Sequence, residues 1–504
     1  MALTKVNDRM IDGAPINALD YGADPTGTSD SYAAIQAAID AVEATGKPGV
    51  VSIPSGTYLC NTGLTVDASL VSIKGDNCFI KFENIGVNDF AITISADGQG
   101  YAGGSYYAGT NYIEGLRIKG REGASEGAFP LTGSEVNGIL IEKDSTNVFF
   151  GYEIRNCVIT NFTIASQLGG EAWGITFENC NFIFNQTGFY APSGLAASGA
   201  KILFDSCIFT NGKTAFNLNN VNGTTFVTNC NIEAQTDNFF YANAGELMIS
   251  DCHIEQASDH TASYFVRRDS SVNAGVYAHV YISNTFILAK GTRTKPIFDL
   301  SNPITMTVVG GQIFTDAATY AGAHFETDAS LTGVGTFNIF GTYITRAVGQ
   351  TLFDLDEGID GSYFLNNINV GNEVSFLYGP TNTPTSTSNN RKLTAYDDGV
   401  WTPTAVSLTT TGSPTYSGTY TRIGNRVFGT LTIDANGGTT ASTANTTRFT
   451  GLPYAIKSGA GFACSTVTST TVDQGSGRVE GASVYSPTWS ADSLVRYITF
   501  QYEV

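Results

Sequence analysis

Charge is scarce in this chain. Asp, Glu, Lys and Arg make up only 14% of its 504 residues, and 26 basic residues against 45 acidic ones leave a formal net charge of −19. So few cations cannot neutralise a phosphate backbone, which argues against a nucleic-acid partner; an acidic polysaccharide would also be repelled unless a local Arg or Lys met it. No run of 18 apolar residues occurs, so no segment is long enough to cross a membrane as a helix. A basic-then-apolar secretory signal is missing too, which implies synthesis in a cytoplasm and, for any role outside the cell, delivery by other means. Histidine is limited to His253, His260, His279 and His324, with no HExxH-type set. CxxC…CxxC and GxxxxGK[ST] patterns are both lacking, so neither zinc nor any other cofactor is expected. These absences do not exclude a catalytic triad spread along the chain, but four scattered His do not mark one.

What the chain does have is Gly, at 56 residues, and a repeated phrase. Asn-Cys-Val-Ile at 156–159 returns as Asn-Cys-Asn-Phe at 179–182, Ser-Cys-Ile-Phe at 206–209, Asn-Cys-Asn-Ile at 229–232, Asp-Cys-His-Ile at 251–254 and Asn-Thr-Phe-Ile at 284–287. A period of roughly 22–33 residues is the signature of stacked coils. The last inward residue of the preceding strand is Ile154, Phe177, Phe204, Val227, Ile249 or Ile282. Alternation then breaks at pairs such as Glu178-Asn179, which reads as a tight bend between two sheets, with Asn tolerating left-handed backbone. Cys157, Cys180, Cys207, Cys230 and Cys252 hold one place in successive repeats. A stack of small buried thiols is favoured over disulfides. A third strand is marked by Phe189, Phe216, Phe240, Phe265, Phe298, Phe325, Phe353 and Phe376, read as one inward aromatic stack.

Before the repeats, Ile35, Ile39 and Val42 form an apolar stripe at helical spacing, with Ser29 or Asp30 as the cap and Gly46 and Pro48 as the stop. A helix here would cover the open end of a solenoid. Residues 379–391 read as a linker by composition. Beyond it, Tyr416–Tyr420 and Arg426–Ile433 alternate around Gly424-Asn425, a hairpin signal, and 392–504 reads as a small β-sandwich.

The run Ala18–Ala41 followed by Val51-Ser52-Ile53-Pro54-Ser55-Gly56-Thr57-Tyr58 resembles the N-terminal segment of pectate-lyase-like right-handed β-helix proteins, abundant among bacteriophage tailspikes and tail-fibre depolymerases. The short leader, residues 1–20, is most similar to that of the phage members. Gly399–Thr404 and Gly418–Asn425 resemble C-terminal domains of phage tail proteins. The expected fold is therefore all-β: a right-handed parallel β-helix over 21–378 with an N-terminal capping helix, then a C-terminal β-sandwich that supports trimerisation or glycan binding. The resemblance implies a homotrimeric tailspike on a phage virion, made in the host cytoplasm and acting on polysaccharide at the bacterial surface. The leader is so short that attachment through another phage tail protein is expected.

Two acid clusters are candidates for the chemistry. If each residue after a stacked Phe points outward, Asp299, Glu326 and Asp354 form a column on consecutive coils, with Asp356 two residues further on. Carboxylates at strand spacing cannot all ionise freely, and an acid paired with an ionised base is what glycosidic cleavage requires. On the same face Tyr190 and Tyr241 are expected to stack on sugar rings and Arg268 to hold a uronate; Trp173, expected in a loop rich in Gly and Ala, is a further sugar platform or else a packing anchor. The second cluster is Glu233 and Glu255, three residues past successive repeat Cys, with His253 on their face. Either set also reads as a solvated acidic surface. Leu203, Phe226, Met248 and Tyr281 are expected to form an exposed apolar stripe that packs against a neighbouring chain, with a covering lid or loop, or an aromatic glycan groove, as the alternatives. Three functions fit: a hydrolase of capsule or O-antigen, favoured; a lyase on a uronate-containing glycan; and an adhesin that binds glycan without cutting it.

Overall fold

The repeat winds as the sequence pattern demands. A computed structural model describes residues 13–96, 106–108, 111–121, 136–143, 148–195, 198–220, 222–257, 263–268, 278–299, 304–319, 325–326, 336–340, 342–346, 353–354, 376–377, 396–423, 426–457, 462–470 and 472–504. The chain forms two compact units, Met1–Thr383 and Pro384–Val504; the linker residues 379–391 and the leader up to 12 lie outside the described residues.

The first unit is a parallel β-helix. One coil runs through strand Ala172–Glu178, a bend, strand Asn181–Ile183 and strand Thr187–Ala191, and returns to Ile202–Asp205. The third strands of successive coils form a separate parallel sheet. The first and second strands belong to one bonded sheet, because Val71–Lys81 and Tyr112–Lys119 run unbroken across the bend. Ile154, Phe177, Phe204, Val227, Ile249 and Ile282 lie in register on consecutive coils, each at most 2% exposed. Like residues thus stack on like: the rings of Phe177 and Phe204 lie 4.6 Å apart and 2° from parallel.

The bend is built by backbone that few residues adopt. Asn156, Asn179, Ser206, Asn229, Asp251 and Asn284 all have φ between 46 and 55°, where a short polar side chain is best tolerated. The Asn179 amide donates to Asn156 Oδ1 at 2.7 Å and that of Asn229 to Asp205 Oδ1 at 3.0 Å, so the turns also bond from coil to coil. The following cysteines are buried free thiols. Each donates back to the carbonyl two residues earlier, as Cys230 does to Thr228 O at 3.1 Å, and burial pushes the Cys207 thiol up from its ordinary pKa. A second left-handed bend at Asn161, Phe184, Asn211 and Ala234 has no constant residue type and left no sequence signature.

The aromatic stack of the third strands needs one correction. Phe189, Phe216 and Phe240 are in register, as are Phe298, Phe325, Phe353 and Phe376, but the place between the two runs belongs to Val266. Phe265 lies one residue early and stacks on Phe239 at 4.5 Å. Val266, expected outside, is 1% exposed.

Helix α1, Tyr32–Glu43, buries Ile35, Ala38, Ile39 and Val42. Its cap is Ser31, one or two residues later than the expected Asp30 or Ser29. Asp30 ends a short strand, Thr26–Asp30, and its carboxylate accepts from Tyr32 N at 3.0 Å, while Ser31 takes the cap position without a side-chain capping bond. The helix also closes a sheet edge. Gln36 donates to Thr65 O and accepts from Thr65 N, both at 3.0 Å, and Glu43 accepts from Asp67 N at 3.0 Å. Thr65 lies on the terminal strand of the third-strand sheet, so side chains supply the pairing that a missing coil would have made.

The second unit is antiparallel. Strands Thr415–Ile423 and Arg426–Asp434 pair as the expected hairpin, Ile423 opposite Arg426. A larger and a smaller sheet enclose a core that includes Trp401, Val427, Leu431, Phe449, Trp489, Ile498 and Phe500, a β-sandwich. Arg496 is fully buried there, bonded to Thr440 and Asp492 with its guanidinium 4.6 Å over Trp489.

Candidate functional site

The outward face of the third-strand sheet carries one continuous column. Gln167, Tyr190, Asn217, Tyr241, Arg267, Asp299, Glu326, Asp354 and Leu377 follow one another in register, one per coil. From Phe189 to Phe325 each inward neighbour is buried in the core, so the outward residue is fixed in place by its own strand; Tyr190 to Glu326 are half-buried. Parallel strands lie about 4.8 Å apart, which brings Asp299 and Glu326 together from 27 residues apart in the chain. Asp354 continues the column by backbone register; Asp356 lies outside the described residues.

Arg268, expected to hold a uronate, is 1% exposed and points into the protein. The one-residue offset at Phe265 puts Arg267 on the outer face instead. Its guanidinium carbon lies 5.6 Å from the ring of Tyr241 and 4.9 Å from that of Tyr264, and its Nε is 3.8 Å from Asp299 Oδ2. That is an ion pair but too long for a hydrogen bond, and Arg267 Nε is buried without a hydrogen-bond partner among the described residues. Such an atom is uncommon in a native interior. Arg267 was missed in the sequence. Aligning Asn238-Phe239-Phe240-Tyr241 with Tyr264-Phe265-Val266-Arg267 finds the arginine, because the doubled Phe shows which of the two is Phe265's partner.

The second cluster assembles, but as an ion-pair group. Glu233 and Glu255 are in register on adjacent coils with Asn231 and His253 two residues before each. Glu255 accepts from Lys290 on the following coil and lies 3.0 Å from His253 Nε2. Those two partners, Lys290 first, hold its carboxyl below the usual range. His253 in turn stacks on Phe286 at 5.0 Å. Glu233 accepts from Asn231 at 2.5 Å. Trp173 is not in a loop: it is the second residue of strand Ala172–Glu178 in the larger sheet, opposite Phe150, and so shares no ladder with Tyr190 and Tyr241.

Residues 15–259 match the family described as rhamnogalacturonase A/epimerase, pectate lyase-like. The matched stretch runs from the first strand through Glu255 and stops before Asp299, so it contains Tyr190, Tyr241, Glu233, His253 and Glu255 but neither Lys290 nor the acid column. No curated protein matches the chain. Among solved structures the chain is similar to the Dettilon tailspike protein (14% identity, 97% of this chain and 94% of that one, TM-score 0.46). It is also similar to the enzymatically active domain of tailspike protein 4 of bacteriophage CBA120 (14%, 98% and 66%, 0.47) and to the gp42 tailspike of Acinetobacter phage vb_AbaP_AS12 (12%, 93% and 82%, 0.48). At these identities and TM-scores the likenesses carry no residue roles over to this chain.

Leu203, Phe226, Met248 and Tyr281 do form an outward column on four coils of the larger sheet. Met248 and Tyr281 are 37% and 41% exposed.

Proposed function

We propose that the chain is a tailspike-type depolymerase: it binds and hydrolyses a bacterial surface polysaccharide, capsule or O-antigen, from the tail of a phage virion. The observation that carries this reading is the register of ring, cation and acids, Tyr241–Arg267–Asp299–Glu326–Asp354. A pectate-lyase-like region over residues 15–259 supports polysaccharide as the substrate.

Carboxylates on adjacent coils, about 4.8 Å apart at the backbone, have the separation of a retaining glycosidase, about 5 Å. The Arg267 cation beside Asp299 favours its ionised form, so Asp299 is the nucleophile. It forms a bond to the anomeric carbon as the glycosidic C–O bond breaks, and Glu326 gives its proton to the departing oxygen. Glu326 then takes a proton from water, whose oxygen displaces Asp299 from the sugar. Tyr241 and Tyr190 stack on sugar rings along the column, and Asp354 holds hydroxyls at its lower end. Glu255, tied to Lys290 and His253, is a structural ion pair in this scheme. The test is reducing-end release from the host polysaccharide by Glu326→Gln, Asp299→Asn and Glu255→Ala side by side. The first two should lose at least about 10³-fold in kcat and the third should stay near the parent. Full activity of Glu326→Gln would end this assignment.

The Arg267–Asp299 pair also favours a second reading, elimination from a uronate with Asp299 as base and Arg267 neutralising the carboxylate. An unsaturated, ultraviolet-absorbing product would establish it in place of hydrolysis. A chain that binds host polysaccharide but clears no halo on a lawn and shortens no glycan is an adhesin. The Leu203–Tyr281 stripe is the contact with neighbouring copies in a homotrimer, and another tail protein supplies the attachment. Met248→Asp should yield a smaller species in light scattering.

A further inference from the structure

A cationic patch lies on the N-terminal coils, on the sheet face that follows the bend. Phe79 and Arg117 are in register, and two residues further on so are Lys81 and Lys119. Arg117 is exposed and the other three are half-buried. The Arg117 guanidinium carbon lies 5.5 Å from the Phe79 ring centre and the Lys81 ammonium 5.8 Å. Lys119 is 3.5 Å from Glu83. Neither Arg117 nor Lys81 has a carboxylate partner among the described residues. On the next coil the same two places hold Val158 and Thr160, so the patch is confined to two coils.

We infer that this patch is a non-catalytic subsite for an anionic polysaccharide, and hence that the substrate of the proposed depolymerase is acidic. The inference rests on that reading for the word substrate but stands on its own geometry for binding. A chain with net charge −19 repels a polyanion over most of its surface. Three cations on two coils, two of them without partners, are therefore where such a polymer can approach. A guanidinium 5.5 Å from a ring centre and exposed leaves its N–H fork open to a carboxylate, sulfate or phosphate. The Phe79 ring adds an apolar surface beside the charges, which suits a sugar that has both a C–H face and an acid group.

The test uses the full chain with polygalacturonate (carboxylate), dextran sulfate (sulfate) and neutral dextran as probes in affinity electrophoresis. Lys81→Gln/Arg117→Gln retains the aliphatic stems over Phe79. Lys201→Gln/Lys213→Gln removes the same charge from two exposed positions elsewhere. The parent should be retarded by one or both anionic probes and not by dextran, the patch variant should bind at least about tenfold more weakly, and the control variant should match the parent. Which anionic probe binds tells carboxylate from sulfate recognition. No retardation of the parent by either polyanion, equal retardation of parent and patch variant, or an equal loss in the control variant overturns the inference. A change in oligomeric state with unchanged retardation overturns it too, and assigns the patch to a protein contact. Glu326→Gln separates the two proposals: it should bind the probes like the parent whatever its activity, so a failure of catalysis leaves the subsite standing.

Discussion

Replacing Phe204 by alanine should loosen the β-helix around one coil and leave the C-terminal unit untouched. The side chain is 0% exposed. Its ring centre lies 4.6 Å from that of Phe177, 5.0 Å from those of Phe189 and Phe216, 5.7 Å from Phe209 and 6.0 Å from Phe182. Truncating a buried Phe costs about 3–5 kcal/mol through lost transfer energy and the cavity left behind. The upper half of that range applies, because five rings held by their own strands cannot collapse into the space. In a solenoid each coil rests on its neighbours, so the loss concentrates in the coils that touch the cavity. Native-state hydrogen exchange reads this directly: about 4–5 kcal/mol corresponds to roughly 10³- to 5 × 10³-fold faster exchange of amides that open by unfolding of this region. The strands Ala172–Glu178, Ile202–Asp205 and Thr224–Thr228 should show it, and residues 396–504 should not. A change below tenfold in those strands, or one spread evenly over both units, would refute the stacked-coil energetics.

Asn179, at φ 51°, separates backbone from side-chain effects. Asn179→Ala should lose about 1–2 kcal/mol in denaturant unfolding, and Asn179→Gly clearly less, since glycine adopts the same conformation freely. Lys290→Met removes the main cause of the lowered Glu255 pKa. Because the folded value lies below the unfolded one, the pair's contribution is present above the unfolded value and fades as pH falls through the folded one. Unfolding midpoints measured from neutral pH down to about pH 3 should therefore depend less on pH in the variant, by under about 1 kcal/mol for so exposed a pair. The native protein should show no thiol reacting with Ellman's reagent until it unfolds, since all eight Cys are buried and the thiols of Cys60 and Cys464 are pushed up to about 12 and about 11.

How far the sequence could be read depended on whether a position's role leaves a constant residue type. The first bend demands left-handed backbone, so Asn, Ser or Asp recurs there, and the cysteine after it must be small and buried; both were visible. The second bend makes the same backbone demand at Asn161, Phe184, Asn211 and Ala234, yet no residue type repeats and nothing marked it. The capping helix showed in its apolar stripe, but its start was set by the Asp30 carboxylate bonding Tyr32 N, which spacing alone does not reveal.

The acid column shows the same division. Period and inward Phe residues sufficed to put Asp299, Glu326 and Asp354 on one face, because strand alternation leaves two choices and the core selects one. Which arginine joins them was beyond that rule. Phe265 and Val266 are both buried, so hydrophobicity permits either register, and only the pairing of Val266 with Phe240 and Phe298 turns Arg267 outward and Arg268 inward. Local chemistry thus determined the winding and the face. The side chains that meet across coils were decided by registers a single residue apart, which only the packed sheet resolves.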